Sequence, residues 1–143
     1  MGPTLEDRLR RLEDKEEIRD LLNEYGRTLD RRDLSAYSRL FAADGEWEGG
    51  LGAAKTPEGI RSMLEAAIGP GPPRFAGAYH IMSNMVISVD GEEATAWSRW
   101  TWVTQGPEGQ PTVTRAGYYD DSLVREDGRW KFRRRVAATD QRA

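Results

Sequence analysis

The sequence predicts an α+β domain in which three N-terminal helices pack on one face of a strongly curved, mostly antiparallel sheet. Three observations carry that expectation. Apolar residues recur at three- and four-residue steps in the first part of the chain, as in amphipathic helices. The second half consists of long alternating runs separated by Asp90-Gly91, Gly106-Pro107-Glu108-Gly109 and Glu126-Asp127-Gly128, and Asp-Gly between alternating runs is a strong hairpin signal. No internal repeat and no dividing linker interrupts the 143 residues, so 1–143 reads as a single domain.

The elements follow in order. Leu5 to about Arg31 is helical, with Leu5, Leu9, Leu12, Ile18, Leu21, Leu22, Tyr25 and Leu29 on its apolar side. Asp33 caps a second helix over Leu34–Phe41, and Ala42-Ala43-Asp44-Gly45 turns the chain. Glu46–Leu51 is a short strand with a glycine-rich exit. Thr56-Pro57 opens a third helix, with Thr56 as cap, proline at the first position and Ile60, Met63, Leu64 and Ala67 on its apolar side. The breaker-rich loop Gly69–Pro73 is either a mobile flap or a connector. Strands are expected over Tyr79–Val89, Ala94–Thr104, Thr112–Val124 and Arg129–Ala138. A helix laid across the concave face of so long a sheet leaves part of the bowl unfilled, which is the usual form of a small-molecule cleft.

Composition narrows the chemistry. Cysteine is absent, so disulfides, thiolate nucleophiles and thiolate metal sites are excluded. A single histidine excludes a multi-histidine zinc site within one chain, and no metal or organic cofactor is expected. The net charge is −3 with both signs interspersed. The run Arg133-Arg134-Arg135 divides its charge between two faces of a strand, so no nucleic-acid footprint is expected. The N-terminus has no apolar signal core, and no run approaches the ~20 apolar residues of a membrane span. A soluble, cytoplasmic protein without a membrane partner is expected.

The one histidine, His80, stands on a strand among apolar neighbours. That is also the usual setting of a packed core histidine. Asp30 ends the long helix, where the macrodipole disfavours an acid, and so asks for a partner. Arg31 and Arg32 would supply one trivially, and a buried histidine is the alternative. Tyr25 lies five residues before Asp30. As a site, the three residues make coherent chemistry: His80 as base, Asp30 holding its tautomer, and Tyr25 donating to a developing oxyanion. Trp47, Phe75, Met82, Asn84, Trp100, Trp102 and Tyr118 are the candidate substrate-binding residues. Trp100 and Trp102 share one strand face, and Trp97 takes the other.

Several segments together resemble a known family. Leu12–Leu22, then Tyr25-x-x-x-Leu29-Asp30 and Leu40-Phe41-Ala42-Ala43-Asp44, resemble the opening of SnoaL-like proteins of the nuclear transport factor 2 (NTF2-like) superfamily. His80 ahead of Asn84–Ala94, and Gly117–Phe132 as closing hairpin, are similar to the family's third strand and final strands. The resemblance implies an NTF2-like cone-shaped barrel. Within the superfamily, the site pattern is most similar to that of scytalone dehydratase, bile acid 7α-dehydratase and the related dehydrochlorinase. It implies that Asp30 and His80 form a catalytic dyad and that Tyr25 takes part. Two departures stand out: no histidine follows on the penultimate long strand, and the first strand has Gly49 or its neighbour where scytalone dehydratase has a tyrosine.

The expected activity is a cofactor-independent lyase or isomerase of dehydratase type, acting on a hydrophobic polyketide, steroid or terpenoid. A polyketide cyclase-type isomerase and a non-catalytic small-molecule-binding module remain open alternatives. Strand residues such as Trp97, Val103, Val113 and Tyr119 make both sheet faces partly apolar, and the face that the helices leave uncovered points to a homodimer.

Overall fold

Helix α1 (Leu5–Asp30) begins in a reciprocal cap: the Asp7 amide donates to the Thr4 hydroxyl at 3.1 Å, and the Thr4 amide donates to the Asp7 carboxylate at 3.0 Å. This computed structural model describes residues 1–69 and 77–140. Phe75 and all of the Gly69–Pro73 loop except Gly69 lie outside the described residues. Ile18, Leu22 and Tyr25 are buried, but Leu5, Leu9 and Leu12 are 78%, 54% and 65% exposed. The periodicity therefore marks helix throughout and core only in the later turns. At ~1.5 Å per residue the helix outruns the sheet that would cover its first turns.

Helix α2 (Leu34–Ser38) is capped by Asp33 as expected, with the Ala36 amide donating to it at 3.1 Å, but it stops short of Phe41. The expected turn at 42–45 is instead part of β1 (Phe41–Gly49), which pairs in parallel with the last strand. Phe41 sits opposite Phe132, both fully buried, and a register shift between Phe41 and Glu46 absorbs the intervening residues 42–45. Burial of these two rings outweighs the local turn preference of Asp44-Gly45. The expected glycine-rich exit folds back as β2 (Gly52–Lys55), antiparallel to β1.

Helix α3 (Thr56–Ile68) buries Ile60 and Leu64 against β1, while Ala67 is exposed. Thr56, expected as the cap, is instead the first helical residue with Lys55 at the cap position, and its hydroxyl accepts the Gly59 amide at 3.2 Å. Strands β3 (Tyr79–Asp90), β4 (Glu93–Gln105), β5 (Pro111–Glu126) and β6 (Arg129–Thr139) form the antiparallel meander. Asp127 and Gly128 both have positive φ, 52° and 77°, as the tight β5–β6 turn requires.

The sheet order is β2-β1-β6-β5-β4-β3, so β2 and β3 are free edges and the curved sheet does not close into a barrel. Helix α1 packs on β3 and β6 and α3 on β1, placing the core between helices and concave face. Of the strand residues expected to make both sheet faces apolar, Val113 is 64% exposed, whereas Val103 and Tyr119 are buried. The register shift between Trp102 and Val103 places the extra residue in β5, so β4 keeps its alternation and Val103 stays opposite Val113, while Tyr119 keeps phase with the inward Asp121.

Candidate functional site

Asp30 is the last residue of α1, and β3 crosses beneath that end of the helix. The His80 ring presents Nδ1 to Asp30 Oδ1 at 2.5 Å, and the His80 amide donates to Oδ2 at 2.9 Å. One carboxylate thus holds both the backbone and the ring of a single residue. Nδ1 facing a carboxylate carries the proton, which leaves Nε2 as the ring's lone-pair nitrogen. The two side chains are 17% and 20% accessible. Arg32 does not neutralise Asp30. It donates instead to the last carbonyls of α3, Ile68 at 2.9 Å and Gly69 at 3.3 Å.

The ring forms part of the wall of a cavity of about 240 Å³. Tyr25, Trp47, Trp100 and Trp102 line it as well, so five of the ten sequence candidates meet there, with Asp30 directly behind His80. The imidazole lies near two indoles, its ring centre 6.4 Å from that of Trp100 and 6.3 Å from that of Trp102. Two glycines give the tryptophans room. A Cβ on Gly117 would come within 2.7 Å of the Trp100 ring, and one on Gly49 within 2.5 Å of the Trp47 ring. Trp100 is further fixed by donation from Nε1 to the Ala138 carbonyl at 3.1 Å.

Three candidates lie elsewhere. Met82 packs under α1 against Gly26. Asn84 is exposed with φ of 54°, in the stretch where the β3–β4 register shifts. Tyr118 points outward and stacks on Trp97 at 6.0 Å. For Asn84 and Tyr118 the physical reason is strand phase, since the bulge in β3 and the alternation of β5 set which face each side chain takes.

Tyr25 is at the centre of a buried phenol cluster. Its oxygen accepts from Tyr37 Oη and from Trp47 Nε1, each at 3.0 Å. The Tyr119 hydroxyl is a further hydrogen-bonding neighbour of this phenol. Burial holds the Tyr37 and Tyr119 phenols well above their usual pKa, so both are neutral donors at ordinary pH.

Behind the cluster lies a pair that the sequence reading did not pick out. Arg135 Nε and Nη2 each donate to Asp121 at 2.8 Å, and both side chains are fully buried. The guanidinium carbon lies 3.6 Å from the Tyr119 ring centre and 4.2 Å from that of Tyr25. Burial pushes the Asp121 carboxyl up, while Arg135 opposes it. Burial alone would lower the Arg135 pKa, but Asp121 and the phenols outweigh it. The alternation of β5, with Gly117, Tyr119 and Asp121 on one face, was the available signal for Asp121. Arg135 was hidden because Phe132 and Arg135 are both buried while Arg133 and Arg134 between them are exposed, around a register shift.

Among the described residues no cluster of three or more His, Cys, Asp or Glu could hold a metal ion, and no helix is long and apolar enough to cross a membrane. The arrangement offers one proton acceptor, His80 Nε2, and phenolic donors in a mostly aromatic cavity. That set can move a proton off carbon and stabilise the oxyanion that results.

Comparison with known proteins agrees in fold and extent. A family model described as SnoaL-like domain matches residues 10–136. The gamma-hexachlorocyclohexane dehydrochlorinase of Sphingobium indicum is 26% identical over 133 residues, covering 92% of this chain and 83% of that protein. An NTF2-like protein with a cystatin-like fold from Novosphingobium aromaticivorans superposes with a TM-score of 0.83 at 27% identity, over 100% of this chain and 94% of the other. A scytalone dehydratase-like protein from the same species superposes with a TM-score of 0.75 at 26% identity, over 92% and 87% of the two chains.

Proposed function

The chain belongs to the SnoaL-like domain family, and we propose that it is a cofactor-independent lyase or isomerase that abstracts a proton from a carbon of a hydrophobic small molecule. The observation that carries this reading is the Asp30–His80 hydrogen bond in the wall of an aromatic cavity. Relatives with lyase chemistry, a dehydrochlorinase among them, support the reaction class.

The step is an elimination. His80 Nε2 takes a proton from the carbon next to a carbonyl, and the C–H electron pair moves to the carbonyl oxygen as an enolate. Tyr25 donates a hydrogen bond to that oxygen. The enolate then re-forms the carbonyl as the C=C bond forms, and the group on the β-carbon leaves with its bonding pair. A departing hydroxide takes the proton from imidazolium and leaves as water. Return of the proton to a different carbon of the enolate gives isomerisation instead. Asp30 stabilises the imidazolium throughout, a charge-assisted interaction worth about 1.5–3 kcal/mol. The exposed outer-face residues Ile81, Val86 and Val113 support a homodimer as the assembly, which light scattering tests.

A panel of cyclic β-hydroxy ketones and γ-hexachlorocyclohexane, followed by mass spectrometry in D₂O, tests the chemistry. Loss of water or HCl, or deuterium uptake at the acidic carbon, is expected from the wild-type protein. His80→Ala and Asp30→Asn should lose it while melting normally. If the variants melt early and activity merely follows the folded fraction, His80 is a structural residue and the reading fails.

A further inference from the structure

Arg115 lines the same cavity, and among the described residues it is the only lining residue with a permanent charge. Among the described residues it forms no ion pair, and no acidic side chain lines the cavity. The stretch 70–76, Pro-Gly-Pro-Pro-Arg-Phe-Ala, contains no acid either. The other arginine of this region, Arg135, is spent on Asp121 inside the core.

Strand register fixes where Arg115 stands. His80 is paired with Trp102, and Trp102 with Arg115, so the three form one row across β3, β4 and β5. Residues directly opposite on neighbouring strands share a face, and all three line the cavity. With strands ~4.8 Å apart, the His80 and Arg115 backbones are about 10 Å apart, and the Trp102 indole lies between them.

We propose that Arg115 is a specificity-determining residue that anchors a carboxylate of the substrate, so that the substrate class is an apolar ring system carrying one carboxylate. This inference rests on the cavity being the substrate site. The ring lies along Trp102, the carboxylate meets the planar guanidinium in a two-point hydrogen bond, and the acidic carbon comes to His80 Nε2. The guanidinium fork matches a planar carboxylate, and an aromatic partner beside it suits Arg better than Lys. A phosphate dianion would leave its second charge unmatched, because among the described residues the cavity wall supplies no second permanent cation.

The test is binding of a matched pair of probes, 2-naphthoate and neutral 2-naphthamide, read by quenching of tryptophan fluorescence and titration calorimetry. The wild-type protein should prefer the carboxylate by about tenfold or more. Arg115→Gln should bring the two probes to similar affinity, and Arg115→Lys should keep an intermediate preference. The amide should bind all three proteins alike, which shows that the cavity is intact. Equal binding of the pair by wild type, an unchanged preference in Arg115→Gln, or binding of neither probe overturns the proposal. So does 2-naphthyl phosphate binding more tightly than the carboxylate. His80→Ala should retain the full preference. Loss of the lyase reading and loss of this one are therefore separate results.

Discussion

Asp30–His80 and Asp121–Arg135 are two carboxylates each paired with one nitrogen-bearing side chain in the same fold. In each, the carboxylate accepts two N–H donors from a single residue. They differ in what surrounds the donor. His80 keeps 17% accessibility and forms part of a cavity wall, whereas Arg135 and Asp121 are both sealed at 0%. Arg135 lies against the rings of Tyr25, Tyr119 and Phe132, and its Nη1 has no hydrogen-bond partner among the described residues. An arginine keeps its protons at any physiological pH, so its pair can only hold structure and shape the field around the phenols. A histidine exchanges a proton near neutrality, so a similar pair at the cavity wall is suited to proton transfer. Residue type and access to the cavity, rather than the hydrogen-bond pattern, separate the two roles.

The largest contrast should come from breaking each pair in turn. His80→Ala should cost about 10²–10⁴-fold in turnover, the usual worth of a positioned acid–base group, with little change in melting. Arg135→Met should do the reverse and unfold the protein about 3–5 kcal/mol more easily, because it leaves the Asp121 charge buried and alone. Urea denaturation of Arg135→Met, Asp121→Leu and the double variant checks this. The double variant should recover most of the loss. If Arg135→Met is as stable as wild type, the two pairs are not different in kind.

Tyr25→Phe should fall between these extremes. It leaves the Tyr37 hydroxyl and Trp47 Nε1 without their acceptor, at about 1–3 kcal/mol of stability, and removes one donor from the cavity. Both melting temperature and kcat should drop. A variant that melts like wild type would show that the phenol cluster does not share in holding the core.

The smallest effect per group concerns pH. Tyr37 and Tyr119 have pKa values raised well above 10.0, chiefly by burial. An unfolded phenol ionises near its ordinary value while the folded one stays neutral. The two therefore contribute stability that is fully present below about pH 10 and declines above it, at ~1.4 kcal/mol per pH unit for each phenol. Chemical denaturation between pH 9 and 11 should show that decline. The Tyr37→Phe/Tyr119→Phe variant should flatten it.

How much of this was readable in advance differs between the parts. Periodicity and the Asp-Gly turns carried the three helices and four long strands to within a few residues, because a helix face or hairpin turn is set by local spacing and local φ/ψ preference. Asp30 and His80 stood out as an acid misplaced on a helix dipole and as the single histidine. Three features were not readable. The strand at Phe41–Gly45 depends on a parallel partner far along the chain. The outward position of Asn84 and the burial of Arg135 go with register shifts, and a one-residue shift in register exchanges the faces of a strand.

The amino-acid order by itself therefore determined the class of fold, the element sequence and which side chains could do acid–base work. Tertiary structure alone decided which of them meet. Fifty positions separate Asp30 from His80, and thirty-five separate His80 from Arg115. Contacts at that separation depend on how strands pair and where they bulge, which is settled by burial of the whole core and not by any local preference of the residues concerned.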